Sequence, residues 1–246
     1  HLHHFNERIV VNDVASSDEL IVDAFRHIDH ARGSTTLTYF EFATLASLYI
    51  FSKLSLDLAI LEIGLGGRLD AMNIVDPDLS IITSISLDHE AWLGNSREAI
   101  AFEKAGIMRS SVPCIVSDWA PPATLLTHAF NLNVPLDLIG EAFEAYRGVE
   151  LGLPVDSFAA AKQAVLRLGI QLDSDELYRQ ARSTLLPGRR TWVNSKCRVL
   201  LDIAHNPAAA ESLAQYVLSL GEKNKIHAVV GMYADKNIEL VIRPFL

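Results

Sequence analysis

The sequence predicts an α/β fold built on a mostly parallel sheet, and three features carry that expectation. Two apolar runs, residues 56–63 and 79–85, are too short for ordinary helices and rich in Ile and Leu, the composition of strands covered on both faces. Helical patterns alternate with runs of this kind along the chain, which implies crossover helices. Each of the two runs leads into polar residues, the first into Glu62 and Gly64-Leu65-Gly66-Gly67-Arg68-Leu69-Asp70, the second into Asp88-His89. In an open parallel sheet, groups just past the carboxyl ends of strands converge on the ligand crevice.

Taken in order, residues 9–11 suit a short strand, and Ser16 or Ser17 caps a helix reaching about residue 27. Residues 38–51 are apolar at most positions with small Ala and Ser among them, the pattern of a buried helix entered through Tyr39-Phe40-Glu41-Phe42 and ended by Lys53. Asp76-Pro77-Asp78 forms a turn before the second apolar run. Ser96 caps a helix through Ala105, with Gly106 expected at a left-handed stop. Residues 113–117 read as a strand, whereas 121–148 carry a weak pattern to which no element is assigned. Helices follow at 157–168 and 174–184, and Pro187-Gly188 then breaks the chain. A strand at 198–203, a helix opened by His205-Asn206-Pro207, and a strand at 226–230 form a second β-α-β series. The domain boundary is therefore expected between 186 and 187, giving domains 1–186 and 187–246.

With 246 residues, 50% hydrophobic and 21% charged, the chain can fill one large domain or two modest ones. The net charge of −9 argues against a general nucleic-acid or anionic-membrane binder, which needs clustered Lys and Arg. An anionic substrate then requires a metal or a few local cations. Cys114 and Cys197 stand in no metal-type spacing and in apolar runs, so free buried thiols in a reducing compartment are expected. With no secretory segment or long apolar span visible, the cytoplasm is the expected location. The chain starts at His1 and stops as a new helix begins, so both ends are expected to continue.

Glu62 alone reads as a turn cap and His89 alone as a hydrogen-bonded structural residue, but together on neighbouring strand ends they suit a hard cation shared with phosphate oxygens. The glycine turn lacks the third glycine of a dinucleotide fingerprint and permits close backbone approach to a ligand. On composition alone Lys104 is a helix-end lysine facing the macrodipole. Arg189, just past Pro187-Gly188, is a candidate clamp for an anion. Asp202, His205 and Asn206 gather hydrogen-bonding groups at a strand end, and Asp235-Lys236 repeat the arrangement on the next.

Thr38-Tyr39-Phe40-Glu41-Phe42, Leu61-Glu62-Ile63-Gly64-Leu65-Gly66-Gly67-Arg68-Leu69-Asp70-Ala71, Leu87-Asp88-His89 with Leu93-Gly94, Glu103-Lys104-Ala105-Gly106, Leu186-Pro187-Gly188-Arg189 and Asp202-Ile203-Ala204-His205-Asn206-Pro207 stand in one order along the chain. Together they resemble the folylpolyglutamate synthase and dihydrofolate synthase family of the Mur-ligase superfamily. The resemblance implies a P-loop-type Mur-ligase ATPase domain with a mostly parallel sheet, followed by a smaller Rossmann-like α/β domain. It also implies ATP-dependent amide ligation through an acyl phosphate, with dihydropteroate, folates, L-glutamate and ATP as small-molecule partners. Glu62 and His89 would then hold Mg²⁺ together with Lys104, which the family carries as a carbamate, and these three would be the catalytic residues. Arg189, Asp202, His205 and Asn206 would meet the nucleotide, and Tyr39, Phe40, Asp70, Ala71, Asp235 and Lys236 the other substrates. A monomer bound to neither nucleic acid nor membrane is expected.

Three departures stand beside the resemblance, one of them a 121–148 stretch shorter than its family counterpart. No G-x-x-G-K-[ST] phosphate loop occurs in these residues, and it is expected in a preceding segment. Met72 occupies the position where the family usually has Thr. Another Mur-type amino-acid ligase, or a non-catalytic folate- or nucleotide-binding relative without the phosphate loop, are the competing readings.

Overall fold

The computed structural model describes residues 3–145, 151, 153–184, 186–221, 225–233 and 236–246. They fall into two compact units, His1–Val75 and Asp76–Leu246.

The first unit begins with a tight hairpin of β1 (Val10–Val11) and β2 (Val14–Ala15), turned through Asn12 and Asp13 at φ 50° and 62°. Short polar side chains of this kind tolerate the left-handed region. Helix α1 (Asp18–Arg32) starts where Ser17 accepts a hydrogen bond from the Leu20 N–H, and Asp18 and Glu19 meet the positive end of its dipole. Helix α2 (Tyr39–Ser52) opens with a reciprocal cap: Thr38 Oγ1 accepts from the Glu41 N–H, and Glu41 accepts from the Thr38 N–H at 2.7 Å. Ile21 and Ala24 of α1 pack against Ala46 and Ile50 of α2, with Ile9 closing the cluster.

Residues 56–63 do not form the strand that their composition predicts. Among the described residues no strand pairs with them, and Ile60 is 86% exposed. An apolar run becomes a strand only where a neighbour takes up its N–H and C=O groups. The same holds for residues 226–230, which form no strand and leave Val229 fully exposed.

The second unit is organised by three parallel strands, β3 (Ser80–Ile82), β4 (Cys114–Val116) and β5 (Leu136–Leu138), in that order across the sheet. The first crossover holds α3 (Glu90–Leu93) and α4 (Arg97–Ala105), and the second holds α5 (Ala123–Asn131). Ile82, Ile100, Ala101, Ala105, Cys114, Val116, Leu125 and Ala129 form one core between sheet and helices. This is the α/β architecture with a parallel sheet that the sequence predicts. Helix α5 and strand β5 lie in the stretch where the pattern assigned nothing. There the helix starts after Pro122 with no side-chain cap, and a buried Asp137 interrupts the strand's apolar run.

Helices α6 (Val155–Arg167) and α7 (Ser174–Ser183) follow. Strand β6 (Thr191–Asn194), unmarked in the sequence pattern, pairs antiparallel with β7 (Arg198–Leu201), so the predicted strand after residue 197 belongs to a hairpin. Helices α8 (Pro207–Ser219) and α9 (Ile238–Ile242) complete the described chain. Two local expectations are corrected. Gly106 ends α4 at φ −63°, still in the right-handed region, with turn bonds from Ile107 and Met108 back to Lys104 and Ala105 carrying the chain onward. Only Cys114 is a buried thiol, its pKa pushed up to about 11 by burial, whereas Cys197 lies exposed in the turn of the β6/β7 hairpin. Among the described residues no helix is long and apolar enough to cross a membrane.

Asp137 is tied to α6: Gln163 Nε2 donates to it at 2.7 Å, and Arg167 donates through both Nε and Nη2. The Arg167 bonds hold the carboxyl below the ordinary range, against burial. A carboxylate whose folded pKa lies below the unfolded value of about 3.9 adds stability above that pH and loses it as pH falls through the folded value. Arg167→Met leaves a buried carboxylate short of donors and is expected to cost about 1–3 kcal/mol at pH 7. The gap between variant and parent should narrow below about pH 4, which thermal melts at pH 7 and pH 3 would show.

Candidate active site

The site in the second unit is built where β3 and β4 leave the sheet. Asp118, with a side chain only 6% exposed, accepts from the Ile85 N–H at 2.6 Å and the Ala120 N–H at 2.9 Å. Arg97, the first residue of α4, reaches both Asp118 oxygens with Nη2 at 2.9 Å and donates from Nε to the Ile85 carbonyl at 2.9 Å. This clamp joins the exits of two neighbouring strands to the start of a helix. It fixes the base of the loop that carries Asp88 and His89.

His89 is exposed and takes a left-handed backbone conformation, φ 51°, at the start of α3. Its N–H donates to its neighbour Asp88 at 2.8 Å. The same Asp88 oxygen accepts from Lys236 Nζ at 2.6 Å, and the other faces Asn206 Nδ2 and His205 Nε2, each at 3.3 Å. Burial alone would raise the Asp88 pKa, but the bonds from Lys236, Asn206 and the His89 N–H outweigh it and hold the carboxyl below its ordinary value.

Asn206 has two tasks. Its Oδ1 caps α8 by accepting from the Ala209 N–H at 2.9 Å, with Pro207 at the first helical position, while its amide reaches Asp88. His205 is held by its Nδ1 against the Ile203 carbonyl at 2.9 Å. Lys104, near the end of α4, is half-buried. Burial lowers its pKa, and the Asp88 charge works in the opposite direction. His205, Asn206 and Lys236 thus meet at Asp88, beside His89 and within electrostatic reach of Lys104.

Other predicted residues lie off this cluster. The Asp202 oxygens accept from the Arg190 and Ala204 N–H groups at 2.9 and 2.8 Å, which holds the turn before His205, and Arg189 is exposed. Asp235 lies outside the described residues. Glu62, Tyr39, Phe40, Asp70 and Ala71 belong to the first unit. There Asp70 organises the glycine turn: one oxygen accepts from the Gly64 and Leu65 N–H groups, the other from Met72. Gly66 sits at φ 69°, and a Cβ on Gly64 would come within 2.6 Å of the Phe40 ring, so the turn packs on that ring only as glycine. Glu62 is exposed, and Tyr39 lies under the Arg8 guanidinium.

Among the described residues no three His, Cys, Asp or Glu side chains are grouped to hold a metal. The set that the sequence suggests contains only two such residues, Glu62 and His89, unless Lys104 carries a carboxylate. Lys104 is half-buried, and that burial lowers its pKa, toward the neutral amine. Asp88, to which the sequence pattern assigns no role, is the residue at the centre of the second unit's cluster. Its signal was the one used for Glu62, a carboxylate just past an apolar run.

No family model matches the chain. It is 39% identical over 254 residues to the dihydrofolate synthase/folylpolyglutamate synthase of Escherichia coli K12, covering 97% of this chain and 60% of that protein. The protein of the same description from Haemophilus influenzae is 34% identical, with 96% and 62% covered. Among solved structures, E. coli FolC in complex with DHPP and ADP superposes with a TM-score of 0.94 at 36% identity, covering all of this chain and 63% of that one. The bifunctional enzyme of Yersinia pestis complexed with AMPPNP and Mn ion gives 0.92 at 35%, covering 99% and 63%. The chain spans about three fifths of the length of these curated relatives.

The double task of Asn206 makes a graded prediction. Asn206→Ala should destabilise the protein by about 1 kcal/mol through the lost cap, and Asn206→Ser, which keeps a cap acceptor, should recover most of it. Urea unfolding of the two variants beside the parent measures the difference.

Proposed function

Since the chain belongs to the dihydrofolate synthase/folylpolyglutamate synthase family, we propose that its site serves an ATP- and Mg²⁺-dependent ligase. The reaction joins L-glutamate by an amide bond to dihydropteroate, to reduced folates, or to both. The observation that carries the reading is Lys104: a half-buried lysine with a lowered pKa on the helix that follows the His89 loop. Solved relatives bound to AMPPNP, Mn and L-glutamate, or to DHPP and ADP, support the ligand classes.

In this reading the acceptor's carboxylate attacks the γ-phosphate of ATP, and the amine of glutamate then displaces phosphate from the acyl phosphate. The ionic charges of nucleotide and acyl oxygen would be countered by a divalent cation held by Glu62, His89 and a carbamate on Lys104. The carbamate matters because a plain ammonium at Lys104 would repel that cation. Arg189, Asp202, His205 and Asn206 would orient the nucleotide. Lys236, together with Asp235, would meet an anionic group of the incoming amino acid, while Tyr39, Phe40, Asp70 and Ala71 would border the pterin-bearing acceptor. Residues 1–186 would form the ATPase domain and 187–246 the start of the ligase domain. A monomer working in the cytoplasm on small molecules completes the proposal.

Glutamate-dependent phosphate release measured with dihydropteroate and with reduced folates tests the activity; silence with every acceptor would refute it. Lys104→Ala should abolish turnover, with partial recovery on adding short carboxylic acids that replace the carbamate. Carbon-13 NMR of the parent in labelled bicarbonate should show a carbamate signal that the variant lacks. Unchanged turnover in Lys104→Ala would rule out the carbamate role.

A further inference from the structure

We infer that Asp88 is a positioning residue, whose carboxylate ties the segments bearing His205, Asn206 and Lys236 to the strand-end loop that presents His89. The inference rests on the ligase reading for its kinetic consequence and on geometry alone for the tie itself.

Three donors converge on this one side chain, and His205 Nε2 stands 3.3 Å from it. Lys236 and the His89 N–H share one oxygen, and Asn206 and His205 approach the other. The side chain is 18% exposed and the Lys236 side chain 11%, so this is not a solvated surface pair whose strength salt would erase. Asn206 lies 118 residues from Asp88 in sequence and Lys236 lies 148 away. Holding such distant segments at one point orders more chain than any local turn does. Asp88 also takes the N–H of His89, a non-glycine residue in the left-handed region, and so stabilises the backbone turn from which the imidazole projects.

With these three donors in place, both Asp88 oxygens are occupied, which marks the residue as a support rather than a group that touches substrate. Ligation needs groups from both sides of this tie at once. A nucleotide can still bind residues on one side when the tie is loosened, but reacting groups held from both sides lose their alignment. Loss of Asp88 should therefore lower kcat more than it raises KM. The asparagine variant keeps the shape and an acceptor for the His89 N–H but removes the charge facing Lys236.

The test compares the full-length parent with Asp88→Asn, Lys236→Met and the double variant. Amide hydrogen exchange should quicken by about tenfold or more over residues 203–210 and 236–240 in Asp88→Asn, with the amides of β4 and α5 unchanged. Its kcat should fall by about tenfold or more, with KM for ATP altered less than about threefold. Adding Asp88→Asn to Lys236→Met should cost less than about threefold, since the partner charge is already gone. Unchanged exchange in the two segments overturns the inference, as does loss of protection that spreads to β4 or additivity of the two substitutions. A parent with no glutamate-dependent phosphate release would sink the ligase reading instead, while the exchange comparison would still decide the tie.

Discussion

Asp118 and Arg97 form the contact on which the rest of the second unit depends. The parallel strands are only three residues long, so their ladder bonds alone do little to fix where the chain leaves the sheet. Asp118, taken out of water, needs several donors, and it gets them from the backbone past β3, the backbone past β4 and the first residue of α4. A buried carboxylate without those donors is costly, so the three pieces of chain are driven to one arrangement. Position Ile85 in this way, and Asp88 and His89 follow three and four residues later on a loop with a fixed root. Asp137 repeats the device at β5, where its donors come from one face of α6.

The electrostatics of the site follow from the same economy of charge. The chain as a whole is acidic, at −9, so attraction of an anionic ligand has to come from a few placed cations. Lys236 gives one of its three N–H bonds to Asp88, and Lys104 is half-buried on α4. Burial presses Lys104 toward its neutral form while Asp88 resists.

The helices were legible because their signals are local. Ser17, the Thr38 and Glu41 pair, Ser96 and Asn206 each satisfy orphan N–H groups at the helix starts where the sequence placed them. The ordered motifs carry the family resemblance, and with it the interest of Lys104, which composition alone assigns to solvent. Strands depend on partners that no local window contains. Residues 56–63 and 226–230 have the right composition and no ladder among the described residues, whereas Leu136-Asp137-Leu138 has a poor composition and a ladder.

What the sequence determined by itself, then, is the inventory: the helix starts marked by Ser17, Thr38, Ser96 and Asn206, the α/β class set by alternating patterns, and the polar residues placed past apolar runs. Tertiary structure decided which charges meet. It turned Asp88 from a neighbour of His89 into the anchor for His205, Asn206 and Lys236, and it bound Asp70 and Asp202 to backbone N–H groups. The physical reason is that a carboxylate's role depends on the donors that reach it after burial, and those donors lie up to 148 residues away along the chain.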